Sequence, residues 1–296
     1  MTIIKTIAGL AIVTSVAAIG YNQLTQQTPG EKVAVPELVT IPAGSFDYRR
    51  SGEFLKSGAP VNAPVSKVDF KQPLHVTKYQ ISRADYARCV ADDFCETTFG
   101  QTEKNAGIDD NRPVTGVSYL DAVNYARWLT TKTGVTWRLP ADTEWAYAAG
   151  SRFFDDAKGI ETSQSDPSKR MLSKYQQSID LDRDADPIVR IRGGYGANEN
   201  GLFDLSGNVW EWTSTCYKRS KVSQDGKVIS DDGEGNCGVR VVEGRHRSYM
   251  TFFIKDAKSG GCAVGTPPDY LGFRLVKDNP PLLSIRRVRN WLKAVL

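Results

Sequence analysis

The chain has 296 residues, of which 40% are hydrophobic and 10% aromatic, and its formal net charge at pH 7 is +4. This length and apolar content suffice for a buried core, which excludes an intrinsically disordered chain. The charge is small and much of it lies in the last twelve residues. We therefore expect no nucleic-acid partner.

Residues 1–20 differ in kind from the rest of the chain. Lys5 precedes an uncharged run of small and aliphatic residues, which ends in Ala18-Ile19-Gly20, the small residues that a signal peptidase reads. The run is short for a membrane span of about 20 residues. We predict a secretory signal over residues 1–20, with an uncleaved anchor as the alternative, and a polar linker over residues 21–35. A cleaved signal and an uncleaved anchor both predict a periplasmic or otherwise extracytoplasmic protein.

The next elements are strands and capped helices. Short alternating or apolar runs predict strands over Pro36–Phe46, Pro64–Phe70 and Leu74–Tyr79. Capping residues predict three helices. The first begins after Ser82, the second begins after Ser118 and ends at Gly134, and the third runs from Pro140 to Ala149. Residues 151–192 are charged and weakly patterned, which indicates a helix and loops inserted on the surface.

The stretch Gly201–Trp212 places two indoles, a phenylalanine and two leucines around two carboxylates and a Gly-Asn turn. Irregular backbone around Gly207 and Asn208 can turn carbonyls inward, and a hard ion such as calcium takes carboxylates together with carbonyls. The alternative is a buried turn in which Asn208 caps the backbone and Glu211 pairs with an arginine.

Five cysteines agree with export. Cys89 and Cys95 bracket a five-residue loop, while Cys216 and Cys237 bracket a polar excursion, so we predict two disulfides. Closing the longer loop stabilises a fold by on the order of 3 kcal/mol. Cys262 is left over, either buried or functional. Only two histidines occur, which argues against a zinc site of the usual composition.

Five ordered blocks carry a family resemblance, namely Ile41–Phe46, Arg112–Tyr119, Arg138–Gly150, Asn200–Trp212 and Leu271–Leu275. Together they resemble the formylglycine-generating enzyme, or sulfatase-modifying factor, family over roughly residues 37–277. The resemblance implies an α+β fold over residues 36–278, a single C-type-lectin-like domain with little regular secondary structure and long loops. It also implies a structural calcium ion held by the Asp204 side chain, the carbonyls of Gly207 and Val209, and Glu211.

The chain departs from the family at the chemistry. Formylglycine-forming members follow an Arg-Val-x-x-Gly-Gly-Ser motif with two cysteines that hold copper(I), a soft ion that favours thiolates. Here the segment runs from Arg240 to Tyr249, and no cysteine lies between Cys237 and Cys262. We expect no copper site and no formylglycine formation by that mechanism.

In place of that motif stand the candidate cleft residues Glu243, Arg245, His246, Arg247 and Tyr249. Guanidinium groups beside an imidazole suit an anionic ligand or a peptide carboxylate. The alternative is structural. Arg245 and Arg247 would then alternate on a strand, paired with acidic residues, and His246 would face inward.

Within the family, four stretches look most like the NirV branch, an exported accessory protein of copper nitrite reductase; they are Ser45–Arg49, Gly52–Phe54, Glu243–Arg247 and Gly260–Pro268. This resemblance implies an accessory or maturation role for a periplasmic redox enzyme, with a protein or peptide partner. The alternative is an oxidase or peptide-modifying enzyme that uses His246 and Tyr249 in the same cleft.

Residues 279–296 form a separate feature. Apolar residues from Leu282 to Val295 recur at helical spacing, with arginines and a lysine on the other face, which predicts a basic amphipathic helix. Such a helix could contact an anionic membrane surface or a partner. Packing on its own domain is the alternative.

Overall fold

The computed structural model describes residues 34–100, 110–160, 167–182, 188–233, 235–256 and 270–278. The predicted signal or anchor, nearly all of the linker, the C-terminal helix and Cys262 lie outside the described residues. From Val35 onward the described residues belong to one compact unit. Within these ranges, no helix combines the length and the apolar character needed to cross a membrane.

The described residues contain four α-helices, α1 (Arg83–Ala91), α2 (Tyr119–Thr133), α3 (Asp142–Ala149) and α4 (Pro167–Asp182). The predicted caps of α1 and α2 are confirmed, because Ser82 and Ser118 each form a reciprocal capping box with the aspartate three residues on. Helix α2 ends at Gly134 in the left-handed conformation, as predicted. Helix α3 begins two residues after Pro140, where Glu144 accepts a hydrogen bond from the Ala141 amide.

The same ranges contain fourteen short strands. They are β1 (Leu38–Ile41), β2 (Gly44–Arg49), β3 (Glu53–Lys56), β4 (Ala59–Val61), β5 (Val65–Phe70), β6 (Leu74–Thr77), β7 (Trp137–Arg138), β8 (Trp210–Tyr217), β9 (Arg219–Val222), β10 (Val228–Asp231), β11 (Asn236–Glu243), β12 (Arg247–Thr251), β13 (Leu271–Gly272) and β14 (Val276–Lys277). They form three four-stranded sheets, in the orders β1-β6-β14-β7, β10-β9-β3-β4 and β12-β11-β8-β13, and a β2-β5 ribbon. The α+β fold class is confirmed.

Strand β8 carries the end of the Gly201–Trp212 stretch into the core. It pairs antiparallel with β11 along one edge and parallel with β13 along the other. Trp212 is fully buried, and its indole Nε1 donates to the Val117 carbonyl just before α2. The sheet thus fixes the stretch against helix α2 and places the segment Glu243–Tyr249 beside it.

Both predicted disulfides are formed, Cys89–Cys95 at the end of α1 and Cys216–Cys237 between β8 and β11. The second bond joins two neighbouring strands of the sheet that carries the candidate cleft residues. Four of the five cysteines are therefore in disulfides.

Candidate functional site

The Gly201–Trp212 stretch turns sharply before β8. Asp204, Ser206 and Asn208 all adopt positive φ, at 62°, 57° and 64°. Such values are uncommon outside glycine and persist where surrounding contacts hold them. The Asp204 carboxylate accepts from the amides of Gly193 (2.5 Å) and Tyr195 (2.9 Å). The turn is therefore held by the preceding loop, and its carbonyls point inward.

Four oxygens of this turn and β8 converge on one point, and we call them the oxygen cage. The Gln80 Nε2 atom lies there, 2.9 Å from Glu211 Oε1, 3.1 Å from the Val209 carbonyl, 3.3 Å from the Gly207 carbonyl and 3.5 Å from the Asp204 carbonyl. Three of the four predicted ligand groups belong to this cage. Asp204 contributes its carbonyl, since its carboxylate is bonded to the loop amides.

The Glu211 carboxylate has strong partners besides Gln80. Arg274 donates to both of its oxygens, at 2.5 and 2.8 Å, and Trp145 Nε1 donates at 2.8 Å. Glu211 and Arg274 are 1% and 0% exposed. This is the arrangement of the structural alternative, in which Glu211 pairs with an arginine.

The donor types suit calcium, but the Gln80 amide lies against the same oxygens. Calcium binds oxygens at about 2.3–2.6 Å, so an ion held by the oxygen cage would lie against Gln80 Nε2, a donor that competes with it for these oxygens. Among the described residues, no group of three or more His, Cys, Asp or Glu side chains is placed to hold a metal ion. Calcium binding at this motif stays a prediction from the sequence.

The candidate cleft is lined by residues of several strands, β11 and β12 among them. Its volume is about 550 Å3, and it is lined by three of the five candidate residues, His246, Arg247 and Tyr249. The Tyr249 hydroxyl accepts from the Gly52 amide at 2.8 Å, which ties the residue just before β3 to β12. Apolar side chains form much of its wall, namely Phe54, Val61, Ala63, Leu181 and Val239.

The other two candidates lie beside the cleft. Glu243 is buried behind Arg247, and Arg245 donates to the Leu181 carbonyl at the end of α4, at 3.4 Å. His246 is buried against the Trp210 ring, and its Nδ1 lies 3.0 Å from the Arg247 carbonyl. A carbonyl only accepts, so this contact is a hydrogen bond in the form of the ring that carries a proton on Nδ1.

Arg247 is the buried centre of this region, with 1% of its side chain exposed. Its guanidinium lies 2.8 Å from Glu243, 3.4 Å from Asp142 and 3.5 Å from Asp156. The Tyr48 hydroxyl also donates to Asp142. The structural alternative for this segment holds in part, because Arg247 is paired with acidic residues while it still lines the cleft.

Burial and the neighbouring Asp142 carboxyl favour the protonated form of Glu243. The Glu243 carboxyl hydrogen-bonds Asp142, and burial followed by the charge of Asp142 raises the pKa of Glu243 well above its usual range, against the effect of Arg247. Two buried carboxyls in contact cannot both ionise easily. The group Asp142, Glu243 and Arg247 therefore carries less negative charge than its formal count.

We expect Glu243→Gln to flatten the pH dependence of stability. A folded-state pKa raised above the unfolded value of about 4.3 gives stabilisation that is complete below pH ~4 and is lost as pH rises through the folded pKa. Glutamine keeps a donor toward Asp142 and does not titrate. Urea unfolding between pH 4 and 9 should show a smaller decline in the free energy of unfolding. Glu96→Gln, at an exposed side chain, should keep the wild-type slope. An unchanged slope in Glu243→Gln would contradict the raised pKa of Glu243.

Helix α4 forms one wall of the cleft, which the sequence did not indicate. Arg170, Met171, Lys174 and Leu181 line the cleft at roughly helical spacing. Lys174 pairs with Asp156 at 3.3 Å, whereas Arg170 donates to the neutral amide oxygen of Asn62 at 2.7 and 3.1 Å. The inserted helix therefore presents to the cleft the Arg170 guanidinium, to which no carboxylate of the described residues is bonded.

None of the four described cysteines lines this cleft. A copper(I) site of the family type needs two thiolates. With both disulfides closed, Cys262 alone could supply one, and it lies outside the described residues. The cleft is lined instead by an imidazole, guanidinium groups and a phenol.

Comparison with known proteins agrees with this fold. The model of the sulfatase-modifying factor enzyme 1-like domain matches residues 24–279. The chain is 37% identical to the formylglycine-generating enzyme of Mycobacterium tuberculosis over 185 residues, which is 56% of this chain and 57% of that protein. It is 30% identical to that of Streptomyces coelicolor over 181 residues, 57% of this chain and 53% of that protein.

A third relative is the inactive C-alpha-formylglycine-generating enzyme 2 of Mus musculus, 28% identical over 175 residues, 55% of this chain and 48% of that protein. The chain thus spans about half the length of the curated relatives it matches. Among solved structures, PvdO from Pseudomonas aeruginosa aligns with a TM-score of 0.51 and 22% identity over 82% of this chain and 95% of that one, which shows the fold alone. Because the family model covers most of the sequence, the chain belongs to the sulfatase-modifying factor enzyme 1-like domain family.

Proposed function

We propose that this chain is an accessory protein of its family, which acts outside the cytoplasm without the copper-dependent oxidase reaction. It would hold a segment of a partner protein in the cleft beside Arg247. The resemblance to the NirV branch makes a periplasmic redox enzyme, such as copper nitrite reductase, the proposed partner. The inactive relative in mouse is a precedent, by its name, for a family member without the activity.

One observation carries the proposal. Three stretches with the NirV resemblance meet at the cleft, although Glu243–Arg247 lies far in sequence from the other two. Arg247 donates to the Arg49 carbonyl at 3.3 Å, Tyr249 accepts from the Gly52 amide, and Phe54 lies in the wall. The fourth stretch, Gly260–Pro268, lies outside the described residues.

The chemistry of the cleft suits a peptide segment. Its apolar wall offers surface for side chains, and Arg170 offers a guanidinium that can bind a carboxylate or a backbone carbonyl. The alternative, an enzyme that uses Tyr249 as a base, is less favoured, since burial raises the pKa of Tyr249 above its usual range and keeps the phenol neutral.

Binding of the purified exported protein to copper nitrite reductase from the same organism tests the proposal. We expect Arg170→Ala/Met171→Ala to weaken binding at least about tenfold, because both side chains line the cleft and truncated hot-spot residues cost more than ~1 kcal/mol each. Lys169→Ala/Leu172→Ala is the matched control, since it removes one cation and one apolar side chain from exposed positions of α4 outside the cleft wall.

Two outcomes would overturn the proposal. If the two double variants bind the nitrite reductase equally well, the cleft is not part of the binding surface. Stoichiometric copper(I) binding, together with oxygen-dependent turnover of a cysteine peptide by the purified protein, would show that the chain is an oxidase.

A further inference from the structure

The oxygen cage gives rise to an inference that is independent of the proposed function. Its four oxygens are all acceptors, and acceptors at this spacing repel one another unless a donor or a cation lies among them. Gln80 is 1% exposed, and its Nε2 is the donor that lies there. The side chain of one residue thus occupies the position where the sequence predicts an ion.

The amide has the right shape for this position but too few hydrogens to serve all four oxygens. Its two hydrogens suit the two nearest acceptors, Glu211 Oε1 at 2.9 Å and the Val209 carbonyl at 3.1 Å. The carbonyls of Gly207 and Asp204 are farther, at 3.3 and 3.5 Å. They gain electrostatic contact rather than a full hydrogen bond.

The Gln80 amide could in principle point either its nitrogen or its oxygen at the oxygen cage, and the second orientation is unfavourable without a cation. Turned around, Oε1 would face three carbonyls and a carboxylate, which needs a cation between them. In the described structure, Oε1 is buried and has no hydrogen-bond partner among the described residues. An unbonded Oε1 is tolerated because the nitrogen satisfies the oxygen cage.

The charge of the oxygen cage is also already balanced. Arg274 donates to both oxygens of Glu211, and the Asp204 carboxylate accepts from the amides of Gly193 and Tyr195. A divalent ion would lie beside the buried Arg274 guanidinium. Its one carboxylate ligand, Glu211, would be shared with that arginine. Carbonyls with so little free negative charge make a weak calcium site.

We propose that the Gln80 amide nitrogen takes the place of the cation in the oxygen cage, so that the chain closes this motif without bound calcium. Gln80→Glu converts the same cage into a calcium site, because it adds a second carboxylate and removes the donor. Gln80→Met leaves the cage with neither donor nor ligand.

Thermal unfolding of the full chain, dialysed against EGTA and then titrated with calcium chloride, tests this. We expect the wild-type Tm to change by less than about 1 °C, and that of Gln80→Glu to start lower and rise by about 5 °C or more with calcium. Gln80→Met should melt below the wild type with and without calcium. Gln176→Glu, at an exposed position of α4, is the matched control and should behave as the wild type.

A second readout decides the matter if Gln80→Glu does not fold. Terbium(III) in the oxygen cage would sit next to the Trp145 indole, whose Nε1 contacts Glu211, and would give sensitised emission. The wild type should give no more emission than Gln176→Glu and should purify with well under one calcium ion per chain. One retained calcium per chain, a wild-type Tm that falls by several degrees in EGTA, or a Gln80→Met variant as stable as the wild type would each overturn the proposal.

Discussion

Arg274→Leu is expected to lower the free energy of unfolding by about 3–5 kcal/mol. The substitution leaves the Glu211 carboxylate buried without its cation, and it removes the donor to the Phe203 carbonyl. A buried charge that loses its partner costs far more than the pair contributes by itself. Guanidinium chloride unfolding at pH 7 measures the loss.

Arg219→Leu provides the comparison, because both arginines place a nitrogen 2.5 Å from a glutamate oxygen and differ in burial. The Arg219 side chain is 63% exposed and that of Arg274 is fully buried. Exposed ion pairs contribute little, so Arg219→Leu should leave the unfolding midpoint near that of the wild type. Similar losses in both variants would mean that burial does not set the strength of the Glu211 pair.

Arg247→Met should destabilise the chain by about 3–5 kcal/mol at pH 8 and by less at pH 5. The substitution leaves Asp142, Glu243 and Asp156 without their shared cation. As pH falls, the Glu243 carboxyl can take up a proton, because burial already raises its pKa. The cost of the missing charge therefore shrinks toward acid pH.

Urea unfolding of the wild type and of Arg247→Met at pH 5 and pH 8 measures how the loss of stability depends on pH. Arg50→Met is the control at the same cleft, since Arg50 is one-third exposed and lies 3.8 Å from Asp231. It should cost about 0–1 kcal/mol at either pH. A loss for Arg247→Met that is larger at pH 5 than at pH 8 would contradict the buried network.

Local signals were enough for much of the fold. Ser82 and Ser118 cap helices because a side-chain oxygen can satisfy amides of the first turn within four residues, and Gly134 ends α2 because it tolerates positive φ. The disulfide pairs followed from proximity in sequence. The start of α3 differed, since the Glu144 contact with the Ala141 amide, rather than Pro140, sets its first residue.

The candidate site was only partly predictable. The segment from Glu243 to Tyr249 was found because it replaces a family motif, and three of its five candidates line the cleft. Helix α4 gave no signal of its role, because a charged helix reads as a surface element until its partners are known. Asp142 and Tyr48 were not predicted as part of the site, because they come from elements remote in sequence from Arg247.

The sequence by itself determined the family, the order of the capped helices, the two disulfides and the loss of the cysteine pair, since each depends on residue identity and short spacing. Only the tertiary structure decided what meets at each site. It placed Gln80, from the connection between β6 and α1, in the oxygen cage, and brought Arg274 to Glu211 across 63 residues. Such partners are chosen by long-range packing in a low-dielectric core, where an acceptor or a charge must be matched by whichever donor the fold brings to it.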